Sequence, residues 1–238
     1  MAGVKTGISG QINNNIVTDG LVFYVDPAYK KSYPRTGTNV FNLASGSLTP
    51  TGNLESGTGF VGLPTSSFTF DGTDDYIDFG TTLSDFTTEL TIDFFGKISG
   101  SPTDGILITK GENDSSSTSN FGFQIQSSNK LRLYAKASGQ GYTVVDSNSN
   151  ITDNNINNYT LVYNSGNVYF YKNGTLFSSH TFGLNSLPST SGPLSIGRLK
   201  GYGNYFPGNV YSVKVYNRAL SASDVLQNYQ AQKERFGF

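Results

Sequence analysis

The chain has 238 residues, a formal net charge of −1, 13% aromatic residues and neither Cys nor Trp. The absence of cysteine excludes disulfides and cysteine-ligated metals, and a balanced charge with no basic run disfavours nucleic acid as a partner. No apolar stretch approaches the ~18 residues of a membrane span. The first 20 residues lack a basic start followed by an apolar run, so we expect no signal peptide and no membrane insertion.

The polar residues 1–18 predict an N-terminal arm, followed by a single domain over residues 19–238. Such an arm is either a flexible tail or a segment that becomes ordered against a partner subunit. Leu21–Val25 is the first strong strand. The polar segment 26–66 then predicts a long surface excursion with short local structure, and loops of that length are often functional.

The next segment alternates apolar and polar residues on both sides of a polar turn. Phe68 and Phe70 precede the turn Asp71-Gly72-Thr73-Asp74, and Tyr76 and Ile77 follow it. Alternation of period two is typical of half-buried strands. Asp-Gly supplies the positive φ that a tight turn needs, so we predict a β-hairpin here.

Beyond this segment, strand signals recur about every 8–12 residues, which is the spacing of an all-β sandwich. They lie at 90–97, 106–108, 121–125, 131–135, 159–163, 168–171, 175–177, 194–196 and 210–216. The turn Ser128-Asn129 separates two of these strands. Asn173-Gly174 separates two others and is a strong hairpin signal.

One helix is predicted from Ser221 to about Lys233. Ser221 and Asp224 have the spacing of a capping box, in which the two side chains satisfy orphan backbone N–H groups of the first turn. The apolar stripe that would pack this helix on a sheet edge consists of Val225, Leu226 and Tyr229.

Segments from across the chain, taken in order, carry a family resemblance. They are FDGTDDYI (70–77), ILITKG (106–111), VYFYKNG (168–174), LSIGR (194–198), FPGNV (206–210) and VYNRALS (215–221). In this order they resemble the laminin-G-like branch of the concanavalin A-like lectin/glucanase superfamily. That resemblance implies a jelly-roll β-sandwich of two antiparallel sheets with one short C-terminal helix.

The N-terminal part narrows the resemblance. GLVFYVD (20–26), KSYP (31–34) and NL (42–43) resemble the version found in structural proteins of tailed bacteriophages. This implies a non-enzymatic virion protein, assembled in the host cytoplasm, that decorates the capsid as a cement protein or associates with the tail or fibre. Its partners would be capsid or tail subunits and further copies of itself. Burial of residues 1–18 and 26–66 over roughly 1,200–2,000 Å² would attach it stably.

No catalytic residue is predicted. Glucanases of the superfamily carry paired acids as Glu-x-Asp-x-(x)-Glu, and retaining glycosidases need two carboxylates about 5–5.5 Å apart. The glutamates of this chain are Glu55, Glu89, Glu112 and Glu234, and none has that spacing. The single histidine, His180, has no nucleophile and acid signature around it, so we expect a surface or edge-strand residue.

We predict no cofactor and no metal ligand, with Ca²⁺ as the alternative. Ca²⁺ takes 6–8 oxygen ligands. One set of candidates is Asp71, Asp74, Asp75 and Asp78, and a second is the run 112–114, where related pentraxin-type domains hold Ca²⁺. The other interpretation is that Asp71 and Asp74 bond their own turn backbone, while the remaining acids are solvated strand ends.

Three tyrosines in Gly-rich loops, Tyr142, Tyr202 and Tyr205, are the predicted glycan- or partner-binding residues. Tyrosine offers a large contact area at low cost in conformational entropy. The alternative is that these rings only pack locally. They support a rival function, a carbohydrate-binding module that adheres to cell-surface glycans, although the chain lacks the tryptophan that usually forms the flat platform for sugars.

Overall fold

The computed structural model describes residues 16–44, 50–81, 83, 86–99, 104–115, 117–151 and 154–237. In these residues the chain forms two antiparallel sheets packed face to face, with one α-helix near the C-terminus. The predicted concanavalin A-like β-sandwich is therefore confirmed. No helix among the described residues has the length and apolar character needed to cross a membrane.

The described residues contain sixteen strands. In chain order they are β1 (Leu21–Val25), β2 (Asn39–Phe41), β3 (Thr51–Glu55), β4 (Gly59–Val61), β5 (Ser67–Asp71), β6 (Tyr76–Asp78), β7 (Glu89–Ile98), β8 (Ile106–Gly111), β9 (Asn120–Ile125), β10 (Leu131–Lys136), β11 (Tyr142–Asp146), β12 (Ile156–Asn164), β13 (Asn167–Lys172), β14 (Thr175–Thr181), β15 (Leu194–Ile196) and β16 (Pro207–Tyr216). The first sheet has the order β14-β13-β12-β7-β16-β5-β4, with β1 also paired to β16. The second has the order β11-β10-β9-β8-β15-β6-β3-β2.

Aromatic rings fill the space between the two sheets. Phe206 lies edge-on to Phe70 at 5.9 Å and to Phe94 at 5.7 Å between ring centroids, and Phe23 meets Phe79 at 4.8 Å. Each such ring removes about 150–250 Å² from water. This explains how a chain with only 36% hydrophobic residues builds a continuous core.

The predicted hairpin around Asp71-Gly72-Thr73-Asp74 is wrong. β5 pairs with β4 and β16 in the first sheet, whereas β6 pairs with β3 and β15 in the second. The turn carries the chain across the sandwich, so Phe68 and Ile77 enter the same core from opposite sheets. Period-two alternation identifies each strand but does not say which sheet it joins.

The other two turns are confirmed. Asn173 and Gly174, at φ 52° and 76°, join β13 to β14 with Lys172 opposite Thr175. A positive φ at both central residues gives a turn whose twist matches the right-handed twist of the two strands it joins. Asn129, at φ 61°, lies in the turn between β9 and β10.

The segment 26–66 has the short local structure that was predicted, but its described residues are largely used inside the domain. It supplies β2 and β3 to one edge of the second sheet and β4 to one edge of the first. Asp26, Ser32, Val40 and Asn42 are buried. Buried polar side chains fix the first part of this segment to the domain, whereas Val61 and Leu63 remain exposed, at 51% and 69%.

The predicted helix is confirmed as α1, Ala222–Lys233. Ser221 is the N-cap, and its side chain and that of Asp224 complete the capping box. The predicted apolar stripe is wrong in part, because Leu226 is exposed and the buried residues are Val225, Asn228 and Gln232. The helix is held on the sheet by hydrogen bonds from Asn228 and Gln232 as well as by the apolar contacts of Val225 and Tyr229.

Two residues assigned to the predicted arm, Ile16 and Val17, are buried in the domain. The Val17 N–H donates to Asn228 Oδ1 at 2.9 Å, and the Tyr216 hydroxyl donates to the Val17 carbonyl at 3.1 Å. The root of the arm is thus fixed between α1 and β16. Residues 1–15 lie outside the described residues.

Candidate functional site

The outer face of the second sheet carries a groove of about 180 Å³. On β10, Leu131 and Leu133 point into the core, so Arg132 and Tyr134 point to this outer face. The groove is lined by Asp104, Ile106, Gln124, Arg132, Tyr134, Tyr142, Val144, Leu199, Tyr202 and Asn204. We call this site the tyrosine groove.

Two exposed rings, Tyr142 and Tyr202, belong to the tyrosine groove, with 42% and 59% of their surface accessible. Tyr142 is the first residue of β11 and meets Tyr134 edge-on at 5.9 Å between ring centroids. Burial, reinforced by the neighbouring Tyr202, raises the pKa of Tyr142. Its hydroxyl, like that of any tyrosine, is protonated at physiological pH and can donate a hydrogen bond to a ligand.

An apolar cluster forms part of the lining of the tyrosine groove. Ile106, Tyr134 and Leu199 pack together and are buried. The Tyr134 hydroxyl donates to Thr109 Oγ1 at 2.8 Å, which satisfies the one polar atom of that ring. A ligand in the groove would thus contact apolar surface beside the two exposed tyrosines.

The charged residues of the lining are engaged in hydrogen bonds. Arg132 donates from Nε and Nη2 to the two carboxylate oxygens of Asp146, at 2.5 and 2.8 Å. The Asp104 carboxylate accepts a hydrogen bond from the Ser127 N–H at 2.9 Å. The backbone carbonyl of Asp104 accepts one from Gln124 Nε2 at 3.3 Å. These bonds hold the polar side chains in place before any ligand arrives.

The loop that carries Tyr202 is attached to the β8–β9 loop. Lys200 donates to Glu112 at 2.7 Å and lies 3.5 Å from Asp114, while the Asn113 N–H donates to the Lys200 carbonyl at 2.8 Å. The hydrogen bond that Lys200 donates to Glu112 is the main reason that the pKa of Lys200 is raised. Tyr202 therefore lies on a loop that these contacts hold in place.

The same contacts bear on one predicted Ca²⁺ position. Glu112 and Asp114 face the Lys200 ammonium, and Asn113 Oδ1 accepts from Lys136 Nζ at 2.8 Å. Two lysines thus bond oxygens that this position would have to offer to Ca²⁺. The donor set does not fit Ca²⁺ in this arrangement.

The second predicted Ca²⁺ position is the acidic turn. Carboxylate oxygens of Asp71, Asp74 and Asp75 lie within 4.8 Å of one another. However, the Asp71 carboxylate accepts the Thr73 N–H at 2.7 Å, and the Asp75 carboxylate accepts the Asp71 N–H at 2.8 Å. The bond from Thr73 lowers the pKa of Asp71, while burial raises that of Asp75. These bonds favour the interpretation of a turn that bonds its own backbone.

Two other predicted residues lie apart from the groove lining. Tyr205 packs on Tyr76 at 6.5 Å between ring centroids, and Arg198 covers the Tyr76 ring at 3.4 Å. Asp78, predicted with the acidic turn, instead accepts from Arg198 at 3.0 Å. The structure therefore brings together Tyr142 and Tyr202 but not Tyr205.

His180 lies on β14, an edge strand of the first sheet, as expected. Its Nε2 is 2.6 Å from Ser178 Oγ, which also accepts the Asn148 N–H. Within the described ranges, neither His180 nor Ser178 is hydrogen bonded to a carboxylate. A serine hydrolase needs that third group to orient the imidazole.

The two packed antiparallel sheets define a lectin-like jelly-roll fold. A model of the Laminin_G_3 family, described as concanavalin A-like lectin/glucanases superfamily, matches residues 71–226. The chain belongs to this superfamily. A comparison with curated protein sequences found no match.

Solved structures share the fold. Domain 4 of AbnA, an extracellular arabinanase from Geobacillus stearothermophilus, in complex with arabinotriose, has a TM-score of 0.65 and 13% identity over 88% of this chain and 98% of that one. The binding domain of Paraclostridial Mosquitocidal Protein 1 has a TM-score of 0.65 and 14% identity over 89% of this chain. The receptor binding domain of botulinum neurotoxin D has a TM-score of 0.63 and 14% identity over 90%. This chain covers about half of each toxin structure, 52% and 53% respectively.

Proposed function

We propose that this chain is a non-enzymatic carbohydrate-binding module and that the tyrosine groove is its ligand site. The observation that carries the proposal is the position of two half-exposed tyrosines, Tyr142 and Tyr202, beside one recess that also has fixed polar groups. A sugar ring has apolar C–H faces and a polar hydroxyl edge. Aromatic rings with a polar tip present both kinds of surface to it.

The size of the groove indicates the kind of ligand. A volume of about 180 Å³ far exceeds the roughly 10–15 Å³ that a single water needs. It lies below the roughly 300–1,000 Å³ of enclosed small-molecule pockets. A shallow recess of this size suits one or two sugar units of a longer chain, bound at micromolar to millimolar affinity. The arabinotriose complex of a structure with the same fold supports this class of ligand.

Replacement of Tyr202 or Tyr142 by alanine is expected to weaken glycan binding. Each exposed ring face contributes about 1 kcal/mol, or roughly a fivefold change in Kd, and the double variant should bind below detection. Glycan-array binding followed by calorimetry measures the change. The matched control is Tyr205→Ala, three residues from Tyr202 but outside the groove lining. Loss of binding with Tyr205→Ala but not with Tyr202→Ala would place the ligand elsewhere.

We also propose that the module is a structural component of a phage particle, as a capsid decoration or tail-associated protein that carries several copies of the chain. The phage-type segment 20–43 supports this role. The arm begins from a buried root, Ile16 and Val17, which the bond from Val17 N–H to Asn228 fixes on the domain. If residues 1–15 bind a particle, this root would hold the domain firmly to it.

Deletion of residues 1–15, which keeps Val17, is expected to leave a folded domain that no longer enters particles. Attachment would depend on the roughly 1,200–2,000 Å² that stable protein interfaces bury. Purified particles assembled with the truncated chain are quantified by mass spectrometry, while circular dichroism checks the fold. Full occupancy of the truncated chain would contradict attachment through the arm.

A further inference from the structure

We propose that the tyrosine groove selects uncharged glycans and discriminates against acidic ones, such as those ending in sialic or uronic acids. This inference rests on the proposed function, because it assigns a ligand class to the same groove. It follows from the charges of the groove lining and of its rim, and from which of these charges already have a partner. The rim consists of the charged residues in contact with the lining or beside it, namely Lys136, Lys200, Glu112, Asp114 and Asp146.

The cation that lines the groove is not free. Arg132 is the residue type best suited to bind a sugar carboxylate, because its planar fork matches two carboxylate oxygens at once. Here two of its N–H groups already bond both oxygens of Asp146, at 2.5 and 2.8 Å. The Asp146 carboxylate thus already balances the Arg132 charge, so an acidic ligand would gain less from this cation.

Both lysines near the groove are also engaged. Lys200 bonds Glu112 at 2.7 Å and lies 3.5 Å from Asp114. The buried Lys136 donates to Asn113 Oδ1 at 2.8 Å and to the Ser115 carbonyl at 3.3 Å. Lys200 is thus paired with carboxylates, whereas Lys136 is held by two neutral oxygens and is buried.

One carboxylate of the lining has no cationic partner. Asp104 accepts the Ser127 N–H at 2.9 Å, and among the described residues no Lys or Arg lies within salt-bridge distance of it. It can accept hydrogen bonds from sugar hydroxyls, but it repels a second carboxylate in the same recess. Asp104 is therefore a specificity-determining residue in this proposal.

The charge balance of groove and rim points the same way. The cations are Arg132, Lys136 and Lys200. The carboxylates are Asp104, Asp146, Glu112 and Asp114. The excess of one negative charge weakens the binding of an anionic ligand, while the affinity for a neutral sugar is unaffected. Binding of a neutral ligand should also depend little on salt, since ion pairing with the protein is not involved.

The test compares a neutral oligosaccharide with its sialylated counterpart by calorimetry at about 50 and 500 mM salt. The wild type should bind the neutral form about tenfold or more tightly, with little change between the two salt concentrations. Asp104→Asn removes the unpaired charge and keeps an oxygen for the Ser127 N–H. Asp146→Ala removes both oxygens that hold Arg132. Each is expected to raise the ratio of acidic to neutral affinity.

The matched control is Asp19→Asn, the same change of charge at a residue outside the groove lining, where the Asp19 side chain is 85% exposed and paired with Arg218. The affinity ratio should not move in this variant. Preference for the sialylated form, with affinity that falls at high salt and is lost with Tyr202→Ala, would overturn this inference and leave the proposed function standing. No binding of either form, or binding indifferent to both tyrosines, would overturn the proposed function and this inference with it.

Discussion

Replacement of Lys214 by methionine is expected to destabilise the domain by about 3–5 kcal/mol, a large part of the roughly 5–15 kcal/mol that holds a typical domain together. Lys214 and Asp93 have fully buried side chains, with Nζ and Oδ1 2.9 Å apart. Without the ammonium group, the Asp93 carboxylate would remain in the interior with no counter-charge. Denaturant unfolding monitored by fluorescence of the tyrosines measures the loss.

The double variant Asp93→Leu with Lys214→Met is the control that separates burial of a lone charge from loss of the pair. It should recover most of the stability, because a buried pair contributes little over apolar side chains of similar size. The remaining polar neighbours keep partners, since Ser212 still donates to Gln232 and Thr160 still donates to Asn158. An exposed pair gives the comparison: Asp19→Ala, next to Arg218, should cost less than about 1 kcal/mol. Equal losses in the single and double variants would contradict this account.

The importance of Lys214 comes from where it lies. Its Nζ also donates to Gln232 on α1 at 2.6 Å, and Gln232 Nε2 contacts the Tyr24 hydroxyl and Asp26 at 3.4 Å. Arg235, just after the helix, donates to Asp26 at 2.6 Å. The network thus joins the central strands of the first sheet, the segment after β1 and the C-terminal helix through polar side chains.

Local patterns were sufficient for the elements of the fold whose physical cause is local. Asn173-Gly174 meets the positive φ of a two-residue hairpin, and Ser221 with Asp224 caps α1, so both could be predicted from neighbours in the chain. The position of Leu226 could not be. Its exposure depends on Asn228 and Gln232, which face the sheet because their partners Tyr216 and Lys214 lie on β16.

Non-local pairing explains the larger misassignment. The turn at Asp71-Gly72 has the composition of a hairpin, yet β5 finds its partner in β16, which is far along the chain. The period of two is the same in either sheet. Short strands such as β2 and β4, with three residues each, are too brief for any periodicity to show.

The candidate site was predictable only in its exposed aromatic residues. Tyr142 and Tyr202 were identified as tyrosines near glycines, but the other lining residues carried no signal of their own. Asp104, Gln124, Arg132 and Asn204 come from four separate segments. The pairing of β8, β9 and β10 and the bond from the Ile106 N–H to the Asn204 carbonyl bring them together.

Replacement of Gly201 by alanine is expected to raise the Kd for glycan about fivefold or more. This is as large an effect as that of removing the Tyr202 ring. A Cβ at Gly201 would collide with the carboxylate of Asp114 and lie 2.8 Å from the Asp114 backbone nitrogen. Because backbone atoms cannot swing aside, the loop would have to move, and Tyr202 is the next residue. The measurement is calorimetry with the glycan that the wild type binds best.

Gly203→Ala isolates the close approach from the backbone strain. Gly201 and Gly203 lie in the same loop with φ of +78° and +89°, so both substitutions pay a left-handed penalty of about 1–2 kcal/mol. A Cβ at Gly203 would only reach the Tyr205 ring, at 3.6 Å. Similar melting temperatures with unequal affinities, lower in Gly201→Ala, would show that the contact with Asp114 positions Tyr202. Equal affinities would mean that the groove tolerates displacement of this loop, and that Tyr142 and the apolar lining carry the binding.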